Sequence, residues 1–269
     1  YDLGSVEKNR INTAFLSHSG ELFFGTGAGI VKYQPETDRI ELFDFEGKIK
    51  YTNKGIYEIA QDKEGNIYFA ELDRGLFCYN TRLKTLKEID LGLTGVDPWK
   101  AKNIKVLHFD KNGELWLSLH MAGLARHNFQ TGKTVQWRQG QNGLQSNQIW
   151  DIFENGQGIW LGTENGLHRY SPETDTFTSY NVQQGLPGSL VVSILEDNAN
   201  RLWLGTNKGL SCFNPQEGTF VNYSTADGLQ GEVFEYKVRC KSGKYLFFGG
   251  NNGLNVFNLN SIDIDDYVS

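Results

Sequence analysis

The chain has no apolar run of about 18 residues, the length a helix needs to cross a membrane. It has no charged-then-apolar leader, and it opens at Tyr1, as an excerpt of a longer protein would. Such a piece is expected to be soluble, with any signal peptide or membrane anchor lying outside it. No segment keeps a helical apolar period beyond about ten residues, which excludes a helical bundle. Cysteine is scarce: Cys78, Cys212 and Cys240 make an odd set without metal-ligand spacing, and three free thiols packed in strands are expected. Proline is scarce too, at five residues. No basic cluster stands out against a net charge of −6, so nucleic acid is not expected as a partner. Gly-x-Ser-x-Gly, His-x-x-x-His and a phosphate-cradling glycine loop are all missing, which leaves catalysis little support. Gly25-Thr26-Gly27-Ala28-Gly29 is glycine-rich, but it joins two strands rather than opening a helix.

What the chain has is glycine (31 residues), aromatics (13 %) and a repeat. Leu202-Trp203-Leu204-Gly205-Thr206, then Gly209-Leu210 and Phe213, reads as a buried strand, a tight turn and a second strand. The same pattern centres on Phe23, Tyr68, Trp116, Trp160, Trp203 and Phe247, at intervals of 43 to 48 residues. Strand patterns recurring at that period are the mark of a propeller. The expected fold is therefore all-β, a β-propeller with six four-stranded blades (aromatic repeat positions 23, 68, 116, 160, 203 and 247), filling 1–269 as a single domain. A chain of this length buries roughly 75 % of the surface that its unfolded form exposes, so its core needs no disulfide or metal. Trp116, Trp160 and Trp203 are expected in that core.

Each copy divides into four strands. The innermost are predicted at 11–16, 56–61, 104–109, 149–153, 191–195 and 233–239. Turns such as Asp62-Lys63-Glu64-Gly65 and Asp110-Lys111-Asn112-Gly113 follow, closed by Asp and Asn side chains. They lack the spacing of a calcium loop, and no metal or cofactor is expected. Outer strands are predicted at 39–43, 85–89, 134–137, 176–180 and 219–223. The sixth copy runs out after Phe257, and Tyr1-Asp2-Leu3 is expected to supply its outer strand, with residues 261–265 or an open ring as the alternatives. Residues 95–102, the most unusual connector, could hold one helical turn.

Gln139-Gly140-Gln141-Asn142-Gly143-Leu144-Gln145-Ser146-Asn147-Gln148-Ile149-Trp150-Asp151-Ile152, followed by Ile159-Trp160-Leu161-Gly162-Thr163, resembles the two-component regulator propeller repeat, as does Thr225-Ala226-Asp227-Gly228-Leu229-Gln230. The resemblance covers most of the chain. It implies the extracytoplasmic sensor region of a hybrid two-component system, a periplasmic location, a glycan fragment as ligand and a histidine kinase elsewhere in the parent chain. Such sensors usually carry about twice as many repeats. Copies two and three depart from the pattern: Ala70-Glu71 and Ser118-Leu119 replace Gly-Thr.

The loops leading into each innermost strand and those between strands two and three share one end of a blade, so they are expected to ring a channel mouth. Sugars need an apolar face to stack on and planar polar groups for their hydroxyls. The irregular copies place Glu71, Asp73, Arg74, Trp99, Lys100 and His120 at that end, and a local break in a repeat is expected where function overrides regularity. Asn147, Glu164 and Asn207 complete the expected ligand-binding set; Tyr51 and Asn53 also lie at this mouth. Bland readings compete: Asn103 and Asn147 as turn caps, Asp73–Arg74 as a solvated pair, Trp99 packed over a blade edge, His120 as a bonded turn residue. Glu71 and Asp73 could in principle form a glycosidase acid–base pair.

The leading expectation is a non-catalytic sensor module binding an oligosaccharide or other small ligand, without direct membrane contact in this segment. A propeller enzyme, lyase or glycosidase, is the second reading. A protein-interaction scaffold, with a homodimer as one form, is the third.

Overall fold

The computed structural model of the chain describes residues 10–45, 47 and 55–260. Almost all regular structure in them is antiparallel strand, in six sheets. The first four sheets are β1–β4 (Ile11–Leu16, Leu22–Thr26, Gly29–Gln34, Arg39–Leu42), β5–β8 (Ile56–Gln61, Ile67–Glu71, Gly75–Asn80, Thr85–Ile89), β9–β12 (Ile104–Phe109, Leu115–Leu119, Gly123–Asn128, Lys133–Trp137) and β13–β16 (Ile149–Asn155, Gly158–Thr163, Gly166–Ser171, Thr176–Tyr180). The last two are β17–β20 (Val191–Glu196, Leu202–Thr206, Gly209–Asn214, Thr219–Tyr223) and β21–β23 (Phe234–Ser242, Tyr245–Gly250, Gly253–Asn258). Each is an up-and-down meander in sequence order. The sixth has three described strands; the expected fourth, whether from Tyr1-Asp2-Leu3 or from 261–265, lies outside the described residues, as do Tyr51 and Asn53. The predicted helical turn is present as α1 (Pro98–Lys102), capped by Asp97, whose carboxylate accepts the Trp99 and Lys100 N–H groups. Two 3₁₀ turns, Val182–Gln184 and Thr225–Asp227, were not anticipated from the sequence.

The chain divides into two compact units, Tyr1–Gln136 and Trp137–Ser269. In the first unit, Phe23, Phe45, Ile59, Phe69 and Tyr79 form one core cluster, and Leu76, Ile104, Leu107, Leu117 and Leu119 belong to another. The second unit is built on Trp160, Leu202, Leu204 and Phe213 in one cluster and Trp203, Phe234, Leu246 and Phe248 in another. Trp116, Trp160 and Trp203 are all fully buried, as expected. Their indole N–H groups find acceptors in the turn before each strand: Asp110 (2.9 Å), Asn155 (3.1 Å) and Asp197 (3.0 Å). The Asp and Asn residues ahead of these strands therefore serve the core, since a buried indole N–H without an acceptor is costly. Cys78 and Cys212 are free and buried; Cys240 is free but exposed, because its strand β21 shows little burial after Phe234.

The Gly-Thr of each regular copy has two separate jobs. Its threonine closes the turn: Thr163 Oγ1 donates to Gly166 O and accepts the Asn165 N–H, and Thr26 and Thr206 do the same in their own turns. Its glycine lets the next blade approach. A Cβ on Gly162 would stand 2.8 Å from Val191 O of β17, and one on Gly205 3.2 Å from Phe234 Cβ of β21.

Candidate functional site

In copies two and three, which lack Gly-Thr, the turn is longer. Thr26, Thr163 and Thr206 pair with glycines three residues on, leaving two-residue turns. Glu71 pairs with Gly75 and Leu119 with Gly123, leaving the three-residue turns Leu72-Asp73-Arg74 and His120-Met121-Ala122. Each holds a non-glycine residue at positive φ, Asp73 at 60° and Met121 at 53°. Such backbone settings persist only where the surroundings enforce them, and they collect at functional positions. The connector between the two blades is also long: fourteen residues, 90–103, against ten in 181–190 and 224–233.

These three segments of the first unit meet. Trp99 Nε1 donates to Asp73 Oδ1 at 2.7 Å. Asn103, the residue after α1, donates from Nδ2 to the same oxygen at 3.2 Å and to Trp99 O at 2.7 Å. The Trp99 ring meets His120 edge to face at 5.4 Å, and the His120 N–H donates to Asn103 O. Trp99 is thus fixed at its polar end while half its surface stays in solvent (50 %). Burial, with Lys105 and Lys100 nearby, lowers the His120 pKa. His120 Nδ1 and Asn103 Oδ1 are both buried without a hydrogen bond, a condition worth explaining wherever it occurs.

Six of the nine expected ligand residues lie on these segments, but two pairings differ from the expectation. Arg74 does not pair with Asp73. The longer turn carries it back over Glu71, where Nη1 meets Oε2 at 2.6 Å and the guanidinium lies 4.6 Å above the Phe77 ring. Glu71 is buried (2 %) and engaged by Arg74, and Asp73 is engaged by Trp99 and Asn103. Lys100 lies half-buried on α1, and its N–H is part of the Asp97 cap.

In the second unit, Asn147 and Glu164 belong to one blade and Asn207 to the next. Asn147 Oδ1 accepts the Gln139 N–H, a loop-closing role that the capping reading anticipated. Glu164 is exposed and accepts a long bond from Ser146 Oγ at 3.5 Å. Asn207 Oδ1 is buried and unbonded, against Gly188, where a Cβ would stand 2.4 Å from it.

Sequence reasoning missed one recurring device. Every innermost strand of the first five blades carries a bulge one residue after its first apolar residue, at Asn12, Tyr57, Lys105, Trp150 and Val192. A bulge re-aims a side chain out of the ladder. Here it lets bulged residues of different blades touch. Lys105 Nζ lies 3.6 Å from the centre of the Tyr57 ring, and Asn12 Nδ2 donates to Ile56 O. Trp150 stacks on Tyr236 of β21 at 4.4 Å, and the Tyr236 surface is 47 % exposed. The only sequence signal was positional: four of the five, Asn12, Tyr57, Lys105 and Trp150, are aromatic or polar residues directly after the strand's first aliphatic one.

Residues 143–165 and 185–208 match the family model "Two component regulator propeller". Solved structures agree over nearly the whole length. The extracellular domain of a hybrid two component system from B. thetaiotaomicron superimposes with a TM-score of 0.74 at 20 % identity, covering 96 % of this chain and 35 % of that one. A second such domain from the same organism gives 0.75 at 22 %, covering 96 % and 33 %. Virginiamycin B lyase from Staphylococcus aureus gives 0.72 at 14 %, covering 95 % and 82 %. No curated protein sequence matches the chain. The fold is thus the β-propeller, shared by extracellular domains of two component systems and an enzyme alike, and the chain spans about a third of the length of those two domains.

Proposed function

We propose that this chain is a non-catalytic sensor module that recognises an oligosaccharide through the Trp99 sector, on the periplasmic side of the inner membrane, and that its parent protein relays binding to a histidine kinase. The observation that carries the ligand reading is Trp99 itself: half-exposed, on a connector longer than its counterparts, with its N–H held by Asp73 and its edge against His120. A fixed, exposed indole face is what a sugar ring stacks on, and fixing it beforehand removes part of the ordering cost of binding. The non-catalytic reading rests on Glu71 and Asp73, both committed to internal partners. The receptor context and the location rest on the propeller-repeat match and on neighbours that are extracellular domains of regulatory systems.

Calorimetry of the 1–269 chain against a panel of neutral and acidic glycan fragments tests the reading. At least one fragment is expected to bind, and Trp99→Ala is expected to weaken it about tenfold or more, roughly 1.4 kcal/mol. Silence across the panel, or turnover of a fragment, overturns it.

A further inference from the structure

The 90–103 connector carries Trp99 on one side of α1. Pro98, Ala101 and Lys102, spaced to share another side of that helix, border a groove of about 520 Å³ in the first unit. Two of its counterparts, both in the second unit, are closed. A Cβ on Gly166 would stand 2.2 Å from Tyr180 O, and one on Gly209 equally close to Tyr223 O; the N–H groups of these glycines donate to Ser189 O and Glu232 O of their connectors. Gly75 occupies the same position, yet the nearest atom to a Cβ there is Lys102 Cγ at 3.7 Å. Ile89 stands where Tyr180 and Tyr223 stand. The longer connector bridges away from the strand ends and leaves space beneath it.

The chemistry of that space is specific. Leu76, Ile89, Leu91, Leu93, Val96 and Ile104 give it an aliphatic floor. Four charges border it, two of each sign: Arg74 and Lys102, Glu88 and Asp90. Arg74 is held in place by Glu71. Lys102 Nζ is only loosely engaged, 3.9 Å from Glu88 Oε1, with both side chains more than half exposed. An exposed pair at that distance is worth little and gives way readily to a ligand. A volume in the range of small-ligand pockets, aliphatic walls without an aromatic face, and charges of both signs at the border do not suit a sugar, whose hydroxyls would lie against the floor unbonded. They suit a zwitterion with aliphatic side chains. We infer that this groove binds a short peptide with free termini, its carboxylate toward Arg74 and Lys102, its ammonium toward Glu88 and Asp90, and its side chains on the floor. The module then has a second ligand site, independent of the Trp99 surface.

The probe is leucyl-leucine, with its N-acetylated and its C-amidated forms as controls, titrated into ¹⁵N-labelled 1–269 chain. The free dipeptide is expected to shift resonances within 88–96 and 101–104. Each blocked form is expected to bind at least tenfold more weakly. Lys102→Glu, an exposed position, is expected to weaken binding about tenfold, and Val96→Trp to abolish it by filling the floor, with folding checked by circular dichroism; should Val96→Trp misfold, Lys102→Glu decides. Trp99→Ala is expected to leave dipeptide binding unchanged, which separates this test from that of the sugar reading. Absence of binding, equal binding of the blocked forms, or shifts centred on Trp99 overturns the inference.

Discussion

Asp151 and Arg239 offer the sharpest energetic test in the second unit. Asp151 lies on β13, is 1 % exposed, and accepts three hydrogen bonds: from Arg239 Nε at 2.6 Å and Nη2 at 2.7 Å, and from the Ile194 N–H of β17 at 2.7 Å. Arg239 comes from β21, so one carboxylate ties together the innermost strands of three blades. Arg239→Ala removes two of the three donors and the compensating charge. An uncompensated buried carboxylate costs about 3–5 kcal/mol, several times the worth of an exposed pair. Urea unfolding at pH 7 is expected to show a loss of that size. Asp151→Leu combined with Arg239→Leu is expected to lose much less than the single variant, because the stranded charge is gone. A loss below about 1 kcal/mol for Arg239→Ala, or a double variant as unstable as the single one, would refute the view that this pair is a buried clamp.

Other outcomes follow from the same packing. Trp160→Ala empties a fully buried site and is expected to lose about 3–5 kcal/mol by chemical unfolding; a loss under 1 kcal/mol would place the indole outside the core. Burial holds His168 at a pKa of about 4, while its unfolded form titrates near 6.5. The unfolded chain therefore takes up a proton that the folded one refuses, and stability is expected to fall by about 3 kcal/mol in total as the pH drops from 6.5 to 4. His168→Gln should flatten that part of the profile, and an unchanged profile would contradict the assignment. Gly166→Ala, whose Cβ would strike Tyr180 O, is expected to destabilise by roughly 1–2 kcal/mol more than Gly75→Ala, although φ is near 100° at both. Equal losses would mean that the strand end does not close on Gly166.

Much of the fold was legible because its signals are local. The aromatic strand, the Gly-Leu pair and the Asp-rich turn recur in each copy, and each predicts its own hairpin. The helical turn was legible as well, from Asp97-Pro98. The Gly-Thr pair was legible as a turn but not as a point of blade contact, because Val191 and Phe234, which press on Gly162 and Gly205, each come from the following copy. At the candidate site, the broken repeats marked segments that meet around Trp99. Sequence adjacency then misled: Asp73 and Arg74 are neighbours, yet the three-residue turn sends one to Trp99 and the other to Glu71. The Trp150–Tyr236 stack and the Asp151–Arg239 clamp join residues some 86 and 88 positions apart, and no local pattern announces either.

The central claim is that the Trp99 sector binds a glycan fragment. Amide shift mapping tests it most directly: the fragment with the strongest calorimetric response is titrated into the ¹⁵N-labelled chain. Shifts confined mainly to 71–74, 97–103 and 118–121, lost in Trp99→Ala, are the predicted result. Shifts centred on another segment, or undiminished in the variant, would contradict it.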